Sequence, residues 1–391
     1  MNRVLLLFLL IMSAASAQPA PQPWSVRLAQ SFLRQHPDSI IYPEEEKSRR
    51  WNYEQGVMLE AFYRVHRLTG DTAYSSYLKR ILEQYIASDG SIRTYKLTEF
   101  NIDNVTPGVA VLRAFEMFKD RRYRIAADTL RKQLALHPRT AEGGFWHKKI
   151  YPQQMWLDGL YMGEPFYALY SKTTGDTAAF NDIARQFLLM RDHAKDPRTG
   201  LFYHGWDASK SMAWADKNTG CSPNFWGRSI GWYLMAIVDV LDHLPVRHPQ
   251  RQELIATYRD LMQSVLAQRD STNGCWFQVV DKKEAKGNYP EASATAMFSY
   301  ALTKGVNRGY FPASMKPLAR SVFSSLMKQF VTVEQDGTIA LHDVVKVSGL
   351  GGNPYRDGSV EYYLSEPRRT NDFKGYGPLM MAAVEIEMMT P

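Results

Sequence analysis

The amino-acid sequence predicts an all-α fold, a single-domain (α/α)6 toroid, and two observations carry the prediction. The first is a repeat: HRLTGDTAYSSYLKRIL at residues 66–82 resembles SKTTGDTAAFNDIARQF at residues 171–187. In each copy an apolar helix runs into a glycine, such as Gly70, which can take the left-handed conformation that ends a helix. The aspartate that follows, such as Asp71, can cap the next helix. Each copy therefore predicts a helix-turn-helix corner.

The second observation is that two kinds of helical segment alternate along the chain. Six segments are apolar nearly all round, as expected of helices that are buried on both sides. They are EQGVMLEAFYRVHRL, PGVAVLRAFEMFK, LDGLYMGEPFYALYSK, RSIGWYLMAIVDVL, ASATAMFSYALTK and GPLMMAAVEIEMM. More amphipathic segments, such as RRYRIAADTLRKQLALH, lie between them. Six inner and about six outer helices indicate a closed double ring. A two-domain helical solenoid is the competing architecture.

The N-terminus predicts export. Residues 1–17, MNRVLLLFLLIMSAASA, have the basic start, short apolar run and Ala-Ser-Ala ending of a signal peptide. The apolar run is too short for a stable membrane anchor. We expect a tether and lead-in at residues 18–44 and the helical domain at residues 45–391. The mature protein should then lie in the periplasm or outside the cell.

Composition limits the possible partners. The formal charge of +7 is spread along the chain without a Lys/Arg block, so no nucleic-acid partner is expected. The abundance of Trp and Tyr suggests stacking on sugars more than binding to nucleic acid. A basic surface that serves only solubility would explain the positive charge equally well. Cys221 and Cys275 could form a disulfide, but their spacing leaves this open.

The chain segments that enter the inner helices should gather at one mouth of the ring. They are rich in Trp, Tyr, Asn, Asp and Arg, and they read RRWNYEQG, EFNIDNVTPG, QQMWLDG, SPNFWGRSIGW and GNYPEASA. A concave site lined by aromatic side chains with a few convergent polar groups is the usual form of a ligand pocket. We therefore expect the functional site at this mouth.

Two aspartates at this mouth are candidates for acid–base chemistry. Asp158 stands in QMWLDGLYM among large apolar residues. Burial favours the protonated form of a carboxyl group, so Asp158 could donate a proton. Asp103 enters an inner helix from the same side, and the two could form an acid–base pair. A helix cap or a partner for the helix dipole is the structural alternative for either residue.

An arginine beside two tryptophans suggests an acidic ligand. Arg228 and Trp232 are four residues apart at the start of an inner helix and share a face. With Trp226 they offer a planar cation beside aromatic walls, which suits a sugar carboxylate. An arginine that stacks on tryptophan for structural reasons is the alternative. His147 and His204 lie in irregular segments without a third ligand at metal spacing, so no metal is expected.

Six ordered motifs resemble the unsaturated rhamnogalacturonyl hydrolases of glycoside hydrolase family 105, from about residue 45 to the end. The motifs are WNYEQG, NIDNVTPG, MWLDGLYMGEPFYALY, DPRTGLFYHGWD, FWGRSIGW and YRDGSVEYYLSEPRRTNDFKGYGPLMMA. The resemblance implies the (α/α)6 fold and no metal or organic cofactor. It also implies a pectin-type substrate made by a polysaccharide lyase, an oligosaccharide with a 4,5-unsaturated uronic acid at its non-reducing end.

The resemblance gives each candidate residue a role. Asp158 would protonate C4 of the enol ether so that water adds at C5, and Asp103 would orient Asp158 or hold ring hydroxyls. Arg228 would lie near the substrate carboxylate. The remaining residues would be pocket histidines, aromatic walls and subsite contacts: His147, His204, Tyr53, Trp226 and Trp232.

Three other functions remain open from the sequence. An unsaturated glucuronyl hydrolase would share the fold and mechanism but act on glycosaminoglycan or arabinogalactan fragments. An inverting glycosidase would need Asp158 and Asp103 far enough apart to hold a water molecule. A sugar-binding protein without turnover would leave the two acids unexplained. We expect a monomer that binds an oligosaccharide and has no membrane span.

Overall fold

The computed structural model describes residues 22–390, which form two concentric rings of helices. The predicted signal peptide lies outside the described residues. The helices are α1 (Trp24–Gln35), α2 (Tyr53–Thr69), α3 (Thr72–Tyr85), α4 (Gly108–Phe118), α5 (Arg121–Leu136), α6 (Leu157–Thr174), α7 (Ala179–Ala194), α8 (Gly227–Val240), α9 (Arg251–Ala267), α10 (Ala292–Asn307), α11 (Lys316–Phe330), α12 (Val360–Ser365) and α13 (Phe373–Met388).

The inner ring consists of α2, α4, α6, α8, α10 and α13, and each corresponds to one of the six apolar segments within a residue at the ends that they overrun. Neighbours in this order pack against each other, and α13 packs against α2, which closes the ring. Every residue of α8 is buried, as expected for a helix enclosed on both sides. The predicted (α/α)6 toroid is therefore confirmed.

The outer ring consists of α3, α5, α7, α9 and α11, which follow inner helices, and of α1, which precedes them all. Helix α1 packs against α13, so the first and last long helices of the described chain are neighbours. This outer helix lies within the segment 18–44 that we described as a tether and lead-in. It supplies the sixth outer helix of the double ring.

The predicted helix-turn-helix corners are present. Gly70 ends α2 and Gly175 ends α6, with left-handed φ values of 73° and 77°. The Asp71 side chain accepts a hydrogen bond from the Ala73 amide at 2.8 Å and caps α3. Glycine adopts this backbone conformation without the steric cost that a Cβ atom would impose.

Short antiparallel strands connect the helices on the side where the inner helices begin. They are β1 (Gln154–Trp156), β2 (Gly205–Asp207), β3 (Val331–Val333), β4 (Ile339–Leu341), β5 (Val344–Val345) and β6 (Arg368–Arg369). Strand β1 pairs with β2, β3 with β4, and β5 with β6. The first pair matters for the site, because Trp156 lies opposite Gly205 and the Leu157 amide donates to the His204 carbonyl at 3.0 Å.

The cysteines and the helix lengths answer two questions that the sequence raised. Cys221 and Cys275 are buried and unpaired, so they do not form a disulfide. Among residues 22–390, no helix has the length and apolar character needed to cross a membrane.

Candidate active site

A pocket with about 550 Å³ of empty volume opens where the inner helices begin. Three of its side chains occupy the second position of an inner helix: Asp158 in α6, Arg228 in α8 and Lys374 in α13. Seven of the eight predicted site residues line this pocket, namely Tyr53, Asp103, His147, Asp158, Trp226, Arg228 and Trp232. The eighth, His204, lies directly behind Asp158.

Asp158 is buried in a largely aromatic environment. It is 9% exposed, and its Oδ2 atom lies 3.2 Å from Nε2 of His204. Trp156 occupies the cap position of α6, and no side chain caps this helix, so Asp158 does not serve as a cap. No Lys or Arg between residues 22 and 390 forms an ion pair with it. His204 is therefore its principal polar neighbour.

His204 is a support for Asp158 and does not face the open pocket. Its side chain is 0% exposed, and its Nδ1 atom lies 2.8 Å from the Tyr363 hydroxyl. The Trp226 ring lies 4.8 Å from the His204 ring and Trp156 meets it edge-on at 5.5 Å. These contacts fix the orientation of the imidazole toward Asp158.

Asp103 has a different environment because a lysine neutralises it. Lys148 Nζ lies 2.6 Å from one carboxylate oxygen and His147 Nε2 lies 3.3 Å from the other. Burial raises the pKa of Asp103, but the charge of Lys148 and the influence of His147 outweigh burial and leave the pKa below its ordinary value. Asp103 does not cap its short 3-10 helix, since Asn101 does.

His147 is neutral near neutral pH. Burial lowers its pKa to about 4, although the nearby Asp103 carboxylate acts in the opposite direction. Its ring stacks on Trp156 with centroids 4.4 Å apart and an angle of 15° between the planes. Trp156 thus contacts both histidines, the partners of Asp103 and of Asp158.

Arg228 is positioned by main-chain carbonyls and an aromatic ring. Its Nη1 atom donates to the Val345 carbonyl and its Nη2 atom to the Lys346 carbonyl. The guanidinium carbon lies 5.0 Å from the centre of the Trp226 ring. The side chain is buried, and its Nε atom has no hydrogen-bond partner among residues 22–390.

The two other predicted aromatic residues, Tyr53 and Trp232, contact each other in the lining of the pocket. Tyr53 is the first residue of α2 and meets the Trp232 ring edge-on at 6.5 Å. Trp232 is buried and rests on Tyr161, with ring centres 4.6 Å apart. Trp226 is held by a hydrogen bond from its indole nitrogen to Gln278 at 3.1 Å.

The sequence reasoning missed several residues that line the pocket: Lys148, Tyr151, Trp156, Ser348, Arg356 and Lys374. Lys148 directly follows His147, and Trp156 lies two residues before Asp158. Their closeness in sequence to predicted site residues could have identified both as pocket residues. Arg356 and Lys374 lie within the last family motif. Nothing local distinguished them from the other basic residues in that motif.

The comparisons with known proteins decide the family. The sequence model of Glycosyl Hydrolase Family 88 matches residues 24–390. The chain belongs to this family. Its relation to family 105, which the motifs predicted, is confirmed by the solved structure of a family 105 glycoside hydrolase from C. acetobutylicum ATCC 824. The two chains are 41% identical with a TM-score of 0.90, over 94% of this chain and 100% of that one.

Two curated relatives support the assignment of this glycoside hydrolase. The unsaturated rhamnogalacturonyl hydrolase YesR of Bacillus subtilis is 26% identical over 309 residues, which covers 78% of this chain and 82% of that protein. A 24.9 kDa protein in the picA locus of Rhizobium radiobacter is 39% identical over 230 residues, which covers 57% of this chain and 97% of that protein. The prediction that the chain is an enzyme of the glycoside hydrolase class is confirmed.

Proposed function

We propose that this hydrolase removes a 4,5-unsaturated uronic acid from the non-reducing end of rhamnogalacturonan-type oligosaccharides made by a polysaccharide lyase. The observation that carries the proposal is the pair of acids in one pocket, of which only Asp103 has a lysine partner. The name of the Bacillus subtilis relative supports the substrate class.

The two acids are suited to different tasks. A nearby cation stabilises the ionised form of a carboxyl group, so Asp103 beside Lys148 is suited to remain a carboxylate. Asp158 has no cationic partner of this kind, lines the pocket and lies 3.2 Å from His204, so it is placed to act as the proton donor. Carbon accepts protons slowly, and a well-positioned acid is what this reaction requires.

The reaction follows from proton delivery to C4. The electron pair of the C4–C5 double bond forms the new C4–H bond, which leaves an oxocarbenium ion shared by C5 and the ring oxygen. Water adds to C5 and gives a proton to the Asp158 carboxylate, which restores the acid. The bond between C5 and the ring oxygen then breaks to give a C5 ketone, and the hemiacetal at C1 releases the next sugar. One water molecule is consumed in total.

An acidic first sugar fits the polar groups that face the pocket. Arg228 Nε and Ser348 Oγ are both buried without a hydrogen-bond partner among residues 22–390. The two residues belong to the same region, because Arg228 donates a hydrogen bond to the carbonyl of Lys346, two residues before Ser348. Leaving buried polar groups unpaired costs about 1–3 kcal/mol each. The carboxylate of the unsaturated uronic acid would accept hydrogen bonds from both groups.

The test is turnover of unsaturated oligosaccharides from rhamnogalacturonan, chondroitin and an arabinogalactan, followed by the ultraviolet absorbance of the enol-ether acid. We expect absorbance to fall as the next sugar is released, fastest with the rhamnogalacturonan product. In heavy water the deuteron should appear at C4. A saturated uronide cleaved equally well would contradict the proposal, and faster turnover of the chondroitin product would favour the glucuronyl alternative.

We also infer that the enzyme is exported, on the basis of residues 1–17, which lie outside the described structure. Cleavage after Ala17 would leave a mature chain that begins at Gln18. Expression of the full sequence in a bacterium, followed by fractionation and N-terminal sequencing, tests this inference. A cytoplasmic product that retains Met1 would contradict it.

A further inference from the structure

Tyr363 lies behind His204 and Asp158, away from the open pocket. It belongs to α12, its side chain is fully buried, and it does not line the pocket. Its hydroxyl lies 2.8 Å from Nδ1 of His204, whose Nε2 lies 3.2 Å from Oδ2 of Asp158. A chain of three side chains therefore leads from the protein interior to the acid of the proposed reaction.

The Tyr363 hydroxyl is the donor in its contact with His204. Burial raises the pKa of Tyr363 well above its ordinary value, so the hydroxyl keeps its proton at neutral pH. Among residues 22–390 this hydroxyl forms no hydrogen bond except the one with Nδ1. If Nδ1 carried a proton, the tyrosine proton would be buried without an acceptor, a condition that buried polar groups avoid. The hydrogen bond therefore runs from the hydroxyl to an unprotonated Nδ1.

This hydrogen bond also determines the state of the second ring nitrogen. A histidine ring carries at least one proton at neutral pH, so an unprotonated Nδ1 requires a protonated Nε2. Nε2 then presents an N–H group to Asp158 Oδ2, and neither atom has a hydrogen-bond partner elsewhere among residues 22–390. Contacts of this kind in active sites often tighten when the substrate binds. His204 is accordingly a donor toward Asp158 and offers no acceptor for a proton on Oδ2.

The two carboxyl oxygens of Asp158 differ in their access to the pocket. Oδ2 is buried beside His204, whereas Oδ1 is not among the buried oxygens of the described chain and forms no hydrogen bond within it. The side chain is 13% exposed and lines the pocket. A proton on Oδ1 can therefore reach a sugar carbon, whereas a proton on Oδ2 would point at the histidine.

We propose that Tyr363 is a positioning residue that keeps His204 protonated on Nε2, and thereby keeps the acidic proton of Asp158 on Oδ1, the oxygen that faces the pocket. This inference rests on the proposed function, in which Asp158 protonates C4 of the unsaturated sugar. The Nε2–H group also stabilises the carboxylate that remains after proton transfer. Without the tyrosine proton the other tautomer becomes accessible. Its unprotonated Nε2 accepts a proton from Oδ2, and that proton faces away from the substrate.

Tyr363→Phe tests this role because it removes the hydroxyl and keeps the ring. The ring can still stack on Trp226, whose centre lies 6.0 Å away at an angle of 14°, and the main-chain carbonyl can still accept from Gln278. We expect kcat for an unsaturated disaccharide to fall about tenfold or more, because part of the general-acid contribution is lost. KM should change little, since Tyr363 does not line the pocket.

Tyr258→Phe is the matched control for the loss of a buried tyrosine hydroxyl. Tyr258 is also fully buried, and its hydroxyl donates to the Ala301 carbonyl at 2.8 Å, away from the pocket residues. Its kcat should equal that of the wild type. Melting temperatures of both variants show whether the fold is intact.

Nitrogen-15 NMR of histidine-labelled enzyme reads the tautomer directly. The His204 signals are identified by their absence in His204→Asn. In the wild type at pH 7 we expect a protonated Nε2 and an unprotonated Nδ1, and in Tyr363→Phe we expect the proton to appear at least partly on Nδ1. The wild-type spectrum tests the proposal even if Tyr363→Phe does not fold.

Four results would overturn the proposal. They are a protonated Nδ1 in the wild type, a kcat of Tyr363→Phe equal to that of the wild type, a loss that lies mainly in KM, and a fall in kcat without a change of tautomer. Failure of the proposed function looks different, because the wild-type enzyme would then consume none of the unsaturated disaccharides. The NMR measurement does not depend on turnover.

Discussion

Asp158 and Asp103 differ in their charged neighbours. Lys148 forms an ion pair with Asp103, whereas no Lys or Arg between residues 22 and 390 forms one with Asp158. Both were predicted as acids at the same mouth, and both line the pocket. Asp158 has His204, the residue before β2, as its polar neighbour, whereas Lys148 helps to hold the pKa of Asp103 below its ordinary value. Roles of this kind are set by neighbours that are distant in sequence or are passed over as ordinary surface residues.

Replacement of Asp158 by asparagine should remove activity without removing the fold. Asparagine keeps the size of the side chain but has no acidic proton, so we expect turnover of an unsaturated disaccharide to fall about a thousandfold, in line with loss of a general acid. Because Asp158 caps no helix, the melting temperature should change little. Steady-state kinetics and thermal unfolding check both expectations, and ordinary turnover in this variant would disprove the mechanism.

Arg228→Lys keeps a positive charge but loses the planar fork and its stacking on Trp226. We expect kcat/KM for the unsaturated substrate to fall by a factor that corresponds to about 2 kcal/mol or more, as for a desolvated charged hydrogen bond. The far-ultraviolet circular dichroism spectrum should stay unchanged. Kinetics equal to those of the wild type would mean that Arg228 has only a structural role.

Lys148→Met should move the acidic limb of the pH profile. Lys148 helps to hold the pKa of Asp103 below its ordinary value, so activity that needs the Asp103 carboxylate is present above this low pKa and is lost as the pH falls through it. Without Lys148, burial acts with less opposition and the pKa rises. The loss of kcat/KM should then begin at a higher pH. A pH profile with an unmoved acidic limb would exclude Asp103 as an essential carboxylate.

At the scale of elements, the long helices were predictable and the short pieces between them were not. The inner helices are predictable from an apolar composition that extends over three or more turns. Gly70 and Gly175 indicate the helix-turn-helix corners at which α2 and α6 end. Strands of two or three residues, such as β1 and β2, are too short to show a period of two. Helix α1 follows a proline-rich run and was interpreted as part of a lead-in.

Pairing of β1 with β2 leaves no space for a side chain at Gly205. A Cβ atom there would lie 2.6 Å from Leu350 Cδ1 and 3.0 Å from Trp156 Cδ1. In Gly205→Ala we expect a stability loss of about 1–3 kcal/mol, as for overpacking, and reduced turnover because Trp156 supports both histidines.

Gly175→Ala is the matched control for this substitution. Its Cβ would have open space, but its left-handed backbone makes alanine cost about 1–2 kcal/mol. Chemical denaturation and kinetics should show a stability loss in both variants and an activity loss only in Gly205→Ala. Normal turnover in a folded Gly205→Ala enzyme would contradict the supporting role of Trp156.

At the scale of the whole molecule, the toroid followed from the helix count, whereas the ion network inside it did not. Arg64 of α2 lies 3.0 Å from Glu60, 3.2 Å from Asp239 of α8 and 3.7 Å from Glu385 of α13. Lys304 of α10 also contacts Asp239. The network joins four inner helices toward the ends opposite the pocket, and only the closed ring brings these charges together.

Arg64→Met should destabilise the ring while leaving the pocket residues in place. Removing one partner of a buried ion pair leaves uncompensated charge, and we expect a loss of about 3–5 kcal/mol in the free energy of unfolding. Val65→Ala, a neighbouring buried apolar truncation, is a control for packing alone. Urea unfolding of both variants at pH 7 makes the comparison.

The same network predicts how stability depends on pH. Burial raises the pKa of Asp239, but Lys304 and Arg64 outweigh burial and leave the pKa lowered. Its contribution is therefore complete above the unfolded-state pKa near 3.8 and is lost as the pH falls through the folded-state value. The melting temperature should drop across this acidic range by a smaller amount in Arg64→Met. An equal drop in both proteins would show that the network does not govern acid sensitivity.

The contact between α1 and α13 also sets the order in which the protein can be completed. The Ser25 amide donates to Glu387 at 2.9 Å, a pairing that spans 362 positions of the chain. Among the described helices α1 is synthesised first and α13 last. The ring therefore cannot close until α13 has been made. Contacts this distant in sequence slow folding, because a long loop must close before they contribute. A circular permutant in which α1 directly follows α13 would make the contact between these two helices local, whereas the contact between α13 and α2 that closes the inner ring would still join distant parts of the chain.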